Sequence, residues 1–226
     1  MAIAENLQRI QQRILAACQR SGRDAHEVTL IAVSKGHSPT RIREAWDAGL
    51  TLFGENKVQE LKLKVGQCPG AIQWEFIGHL QTNKCREAAY HARLIHAVDR
   101  LKLANALQQA AEKLSKTIPV LLEVNVSGEA SKHGFSPAEL LEQLDELNQL
   151  DRLEIHGLMT MAPWSKDPEN ARPHFRALNE LRGKAEDQLG APLTELSMGM
   201  SGDFEVAIEE GATRLRLGTV LFGQRT

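Results

Sequence analysis

The chain has 226 residues, 42% of them apolar, and its 27 basic and 29 acidic residues leave a formal net charge of −2. That length and apolar share support one sizeable core and match a complete (β/α)8 barrel, read as a single domain over 1–226. The two signs of charge are interspersed, which argues against nucleic acid as a partner, and no stretch approaches the length of a membrane span.

The N-terminus shows no basic-then-apolar signal pattern, so the expected location is cytoplasmic. Cys18, Cys68 and Cys85 lie far apart and form neither a disulfide framework nor a CxxC metal pair. They read as reduced and structural.

Ile3, Leu7, Ile10, Ile14 and Leu15 recur at helical spacing, which predicts an amphipathic helix over 3–20 closed by Ser21-Gly22. The β-branched run 28–33 then predicts a strand buried on both faces, with Lys35 just past its end. Ser38-Pro39 opens a helix over 40–48 that stops at Gly49. Further strands are predicted at 51–53, 75–77, 94–98, 119–124, 153–158, 194–196 and 213–217, making eight in all. Helices are predicted between them at 58–65, 83–91, 101–114, 137–147, 169–189 and 204–211. This alternation points to a parallel α/β sheet closed into a TIM barrel with an extra N-terminal helix. A Rossmann-like open sheet is the alternative, weakened because no GxGxxG follows the first strand. Turn residues cluster at 128–136 and 162–168, both on the face where barrels keep their chemistry.

The residues at the strand ends are unusually polar. Lys35 must pair its ammonium or lose its proton, and a lysine with a lowered pKa forms Schiff bases with aldehydes. Taken alone, however, it fits a side chain snorkelling at the rim. Leu196-Ser-Met-Gly-Met-Ser-Gly-Asp203 is a glycine-containing loop feeding a helix, with Ser201 as an added hydroxyl, and the last strand ends in Gly218-Thr219. Those two places are where TIM barrels bind phosphate, although an ordinary tight turn has the same composition.

Arg214 and Arg216 share parity, so both can point inward. Arg216, nearer the rim and across the barrel from Lys35, is suited to a pyridine nitrogen or to a salt bridge with Glu55 or Glu209. His79 reads as a ring contact or a structural hydrogen bonder. It has no His, Asp or Glu at metal spacing, so no metal is expected. Asn56 and Asn125 suit a ligand or a loop cap.

At these residues the chain resembles the pyridoxal phosphate homeostasis protein family, whose barrel is similar to the N-terminal domain of alanine racemase. The resemblance spans nearly the whole chain. It is carried by Ala32-Val-Ser-Lys35, Phe53-Gly-Glu-Asn-Lys-Val-Gln-Glu60, Phe76-Ile-Gly-His-Leu-Gln-Thr-Asn-Lys84 and Val124-Asn-Val-Ser-Gly-Glu-Ala-Ser-Lys132. Gly157-Leu-Met-Thr-Met161, Ser197-Met-Gly-Met-Ser-Gly-Asp-Phe204 and Arg214-Leu-Arg-Leu-Gly-Thr219 complete it.

The resemblance implies pyridoxal 5′-phosphate as cofactor, held as a Schiff base on Lys35. It implies Ser201, Gly218 and Thr219 at the phosphate and Arg216 at the pyridine nitrogen. Asn56, His79, Met159 and Ser197 would line the ring or the phosphate approach, although family members can carry proline in place of His79. Racemases add a second domain with an opposing tyrosine, whereas the one tyrosine here, Tyr90, falls on a predicted helix. The implied role is therefore vitamin B6 and amino-acid homeostasis without efficient catalysis. With no apolar heptads or interface stripe in the sequence, a monomer is expected. Amino acids or pyridoxal-phosphate-dependent apoenzymes are the implied further partners. The alternatives are an amino-acid racemase or related enzyme and a phospho-metabolite binder on the same phosphate site.

Overall fold

The computed structural model describes residues 2–129 and 132–224. Residues 130 and 131, within the fourth of the quoted motifs, lie outside the described residues.

Helix α1 (Ile3–Ser21) buries Ile3, Leu7, Ile10, Ile14, Ala17 and Cys18, and Gly22 ends it in the left-handed conformation. Leu15, counted in the apolar stripe from sequence, is exposed. It comes one residue after Ile14 and so turns about 100° away from the buried face.

The eight parallel strands are β1 (Thr29–Val33), β2 (Leu52–Glu55), β3 (Gln73–Phe76), β4 (Leu94–Val98), β5 (Ile118–Glu123), β6 (Leu153–Met159), β7 (Glu195–Ser197) and β8 (Arg214–Leu217). They pair in chain order and close, with β8 against β1 in the register Ile31↔Arg216. The open-sheet alternative is thereby excluded. Closure also corrects the expectation that Arg216 stands across the barrel from Lys35, because a barrel makes its first and last strands neighbours.

The helices between strands are α2 (Pro39–Asp47), α3 (Val58–Gln67), α4 (Cys85–His91), α5 (Leu101–Leu114), α6 (Pro137–Asn148), α7 (Arg172–Leu189) and α8 (Phe204–Glu209). Ser136 opens α6 with a full capping box to Glu139. The helix expected over 169–189 begins later, after a 3-10 turn at Pro168–Ala171. Pro173 lacks an N–H to donate, so the first turn of α7 is where it fits. A short helix that the sequence does not predict, α9 (Thr219–Phe222), comes after β8. Four residues are too few to show a periodicity.

Most of the buried apolar surface lies between the strand wall and the helices, and a separate small cluster joins Leu94, Ala97, Leu121 and Met159. Arg214 and Arg216 are both buried, as their shared parity predicts.

Candidate functional site

Lys35 stands on a tight turn at the end of β1. The His37 N–H donates to the Ser34 carbonyl at 3.0 Å, and Gly36 between them has φ +74°. That places Lys35 and Gly36 at the centre of a type II turn, whose third residue needs the positive φ that glycine adopts without strain.

The turn is anchored from behind. The Gly36 N–H donates to Glu60 Oε2 at 2.9 Å, and Lys64 Nζ donates to the Ser34 carbonyl at 2.9 Å, to Glu55 Oε1 at 2.6 Å and to Glu60 Oε2 at 3.0 Å. The Ser34 hydroxyl donates to Glu55 Oε1 at 2.6 Å. Burial pushes the Glu55 carboxyl up, opposed by Lys64 and Ser34. Glu55, a salt-bridge candidate for Arg216 from sequence, instead holds the Lys35 turn in place.

A cavity of about 510 Å3 opens at the carboxyl end of the barrel. Among the residues singled out from sequence, Lys35, Asn56, His79, Ser201, Arg216, Gly218 and Thr219 line it. Met159 and Ser197 are buried inside the barrel and are not on the wall: Met159 joins the inner apolar cluster, and Ser197 bonds to the groups beneath Arg216. Asn125 caps its own loop, its side-chain oxygen accepting from the Ser127 hydroxyl at 3.0 Å and the Gly128 N–H at 3.1 Å. Met161 and Trp164 line the cavity from the segment after β6, Trp164 within the turn cluster predicted at 162–168 and 85% exposed at the mouth.

One end of the cavity suits an anion. Gly218 caps α9, so the first turn of that helix and Thr219 face the cavity together with Ser201, whose hydroxyl oxygen accepts from the Val220 N–H at 3.3 Å. The Leu221 and Phe222 N–H groups already donate to the Gly218 carbonyl at 2.9 and 2.8 Å, so what this end offers an anion is Thr219 at the helix start, where negative charge is favoured, beside the Ser201 hydroxyl. In the loop itself Gly199 answers a packing need: its φ is +91°, and a Cβ there would lie 2.6 Å from the Ala207 Cβ on α8.

Beneath the cavity runs a buried polar chain. Arg216 donates to the Ser197 hydroxyl and, at 2.7 Å, to the Thr160 carbonyl. The Ser197 oxygen is 2.9 Å from His96 Nδ1, and His96 Nε2 is 2.8 Å from Glu75 Oε2. A guanidinium can only donate, so the Ser197 proton goes to His96 Nδ1, and the His96 proton on Nε2 goes to Glu75. Burial lowers the His96 pKa, which fits the neutral ring this arrangement requires. Burial also draws Arg216 down to about 10, opposed by Glu123 and Asp203, so it stays charged at neutral pH.

Glu123, on β5, also lines the cavity, where burial and the nearby Asp99 push its carboxyl up to about 7 against the pull of Arg216. The folded protein therefore holds this proton between the ordinary carboxylate range and pH 7, and the contribution to stability is lost as pH rises through that window. The shift corresponds to about 3 kcal/mol. Glu123→Gln is accordingly expected to be more stable than the parent at pH 8 by up to about that amount, with little difference at pH 4. Urea unfolding at both pH values checks this, and equal stabilities at pH 8 would contradict it.

The sequence reading missed Glu123, Glu75, His96 and His133. The signal available was an acid or histidine within or at the end of a mainly apolar strand, clearest for His96 in β4; His133, in a loop, carries no such signal. His79 has neighbours that chain spacing does not show, since its ring stacks on His133 and its Nδ1 lies 3.0 Å from Asp99 Oδ2. Tyr90 is exposed on α4 and is not on the cavity wall.

A closed parallel barrel with an extra N-terminal helix, a lysine turn after β1 and an anion-suited end after β7 and β8 define a class, the alanine racemase N-terminal domain, whose family description matches residues 2–226. An Aquifex aeolicus protein named pyridoxal phosphate homeostasis protein is 44% identical over 226 residues, covering 100% of this chain and 99% of its own. The chain belongs to the pyridoxal phosphate homeostasis protein family. PipY of Synechococcus elongatus, 39% identical, matches 98% of this chain and 100% of its own, with TM-scores of 0.86 without and 0.84 with pyridoxal phosphate bound. Alanine racemase of Clostridium difficile, 14% identical with a TM-score of 0.75 over 99% of this chain and 56% of its own, shares the fold.

Proposed function

We propose that the chain, as one domain, holds pyridoxal 5′-phosphate through Lys35 and serves vitamin B6 and amino-acid homeostasis without efficient catalysis of its own. The observation that carries this is the convergence of Lys35, Arg216 and the Ser201, Gly218 and Thr219 group on one cavity. When bound, the cofactor supplies an aldehyde that condenses reversibly with amines. The residues fit its parts. Ser201 and the start of α9 receive the phosphate, Arg216 faces the pyridine nitrogen, and Asn56 and His79 border the ring. An arginine donor leaves that nitrogen unprotonated and the ring a weaker electron sink, which favours carrying the cofactor over transforming amino acids. Met159 and Ser197 act from beneath, Ser197 by orienting Arg216.

The protein is proposed to act as a cytoplasmic monomer that exchanges the cofactor with amino acids or apoenzymes. Among the described residues no helix is long and apolar enough to cross a membrane, and the large exposed apolar side chains outside the cavity mouth, such as Leu15, Leu63 and Tyr90, lie on different helices.

The test is to add pyridoxal phosphate to the purified protein, record the visible spectrum, reduce with borohydride and map the modified peptide. A new visible band and a reduced adduct on Lys35 are expected. A protein that stays colourless and unmodified would overturn the reading in favour of a phospho-metabolite binder.

Glu123 favours a second reading, because a wall carboxyl that titrates near neutrality can exchange a proton with a bound amino acid. Solvent deuterium entering the α-carbon at an enzyme's rate, and lost in Glu123→Gln, would support a racemase or related enzyme. Exchange no faster than that of free cofactor supports the carrier.

A further inference from the structure

At the cavity mouth three loops bring together two histidines and an aspartate: His79 after β3, Asp99 after β4 and His133 between β5 and α6. One ligand atom from each lies within 4.8 Å of the others. Asp99 Oδ2 is the shared point, 3.0 Å from His79 Nδ1 and 3.9 Å from His133 Nδ1, while Arg100 pairs with the other oxygen, Oδ1. The two rings stack with centroids 3.9 Å apart, and both border the cavity.

We propose that His79, Asp99 and His133 form a binding site for a divalent transition-metal ion of the Zn2+ class, bridging three loops over the cavity mouth. Two imidazoles and one carboxylate are donors that such ions accept, at bond lengths of about 2.0–2.2 Å. Tetrahedral geometry at those lengths needs ligand atoms roughly 3.3 Å apart. The observed separations bracket that value, so splaying the stacked rings suffices. Arg100, holding Oδ1, orients the carboxylate as outer partners of metal ligands do. Three protein ligands leave a fourth position for water or an incoming oxygen ligand, the arrangement of an open rather than a closed zinc site. A bound ion would tie the β3, β4 and β5 loops together and narrow the route into the cavity. The site shares His79 with the proposed cofactor cavity, but its test reads ion binding to the chain without cofactor, so it stands or falls separately from the cofactor reading.

The test uses the full chain freed of cofactor and metal, titrated with Zn2+ by calorimetry and with Co2+ by visible absorption. One ion per chain at micromolar or tighter affinity is expected, with the intense visible bands of four- or five-coordinate Co2+. His79→Ala and His133→Ala should each weaken binding at least about tenfold. His156→Ala, on β6 and paired with Glu154, should leave it unchanged. Both site histidines are exposed, so the variants should fold, which circular dichroism is to check. Failure to bind one ion per chain, or binding that both site variants retain, would overturn the proposal.

Discussion

Lys35→Ala is expected to lose the visible band and the borohydride-fixed adduct entirely while remaining folded. The chemical half rests on the position of the lysine on the cavity wall at the tip of a turn whose backbone other residues hold. Removing the amine takes away the only group in that turn able to condense with an aldehyde, and it leaves the Glu60 and Lys64 anchors in place. Lys64 does not substitute for it: its ammonium is buried among Glu55, Glu60 and the Ser34 carbonyl. Weaker, non-covalent binding through the Ser201 and α9 end should survive. Absorbance, mass mapping after reduction and urea melts separate these outcomes, and an adduct of undiminished yield in Lys35→Ala would refute the assignment.

The largest stability effect is expected at Glu75, which touches no ligand. Its carboxylate is fully buried, accepting from Arg214 Nη1 at 2.7 Å on one oxygen and facing His96 Nε2 at 2.8 Å on the other. Burial raises its pKa, but the His96 hydrogen bond and the Arg214 charge outweigh that and hold it below the ordinary carboxylate value. Its contribution is therefore present above the ordinary carboxylate range and is lost as pH falls through the lowered pKa. Glu75→Ala would leave a buried guanidinium with only its Glu195 partner and an imidazole N–H with none, at a cost of about 3–5 kcal/mol. Replacing Glu75, His96 and Arg214 together by apolar residues of similar volume should cost less, because the buried guanidinium and imidazole leave with the carboxylate, while Glu195 and Ser197 each lose a hydrogen-bond partner. Urea unfolding of the single and triple variants compares the two, and a loss below about 1 kcal/mol in Glu75→Ala would show that water reaches this layer.

The Lys35 turn also shows how far sequence reading reaches into the site. The position of Lys35 was legible because a buried strand has an end, and chain continuity fixes which residues come next. The role of Asn56 on the wall and that of Asn125 in its loop were not separable, since both are asparagines after strands. Only the direction of each side chain decides between them.

The sequence by itself determined the alternation of strands and helices, the shared inward parity of Arg214 and Arg216, and the residues after β1, β7 and β8. All of these are set by periodicity and by neighbours along the chain. The tertiary structure alone decided that Arg216 stands beside the strand of Lys35, that Glu55 and Lys64 anchor the turn from behind, and that Asp99 and His133 meet His79. Those pairings join positions from 9 to 185 residues apart; the first exists because barrel closure sets β8 beside β1, and the others because neighbouring strands and the helices packed on them bring their ends together.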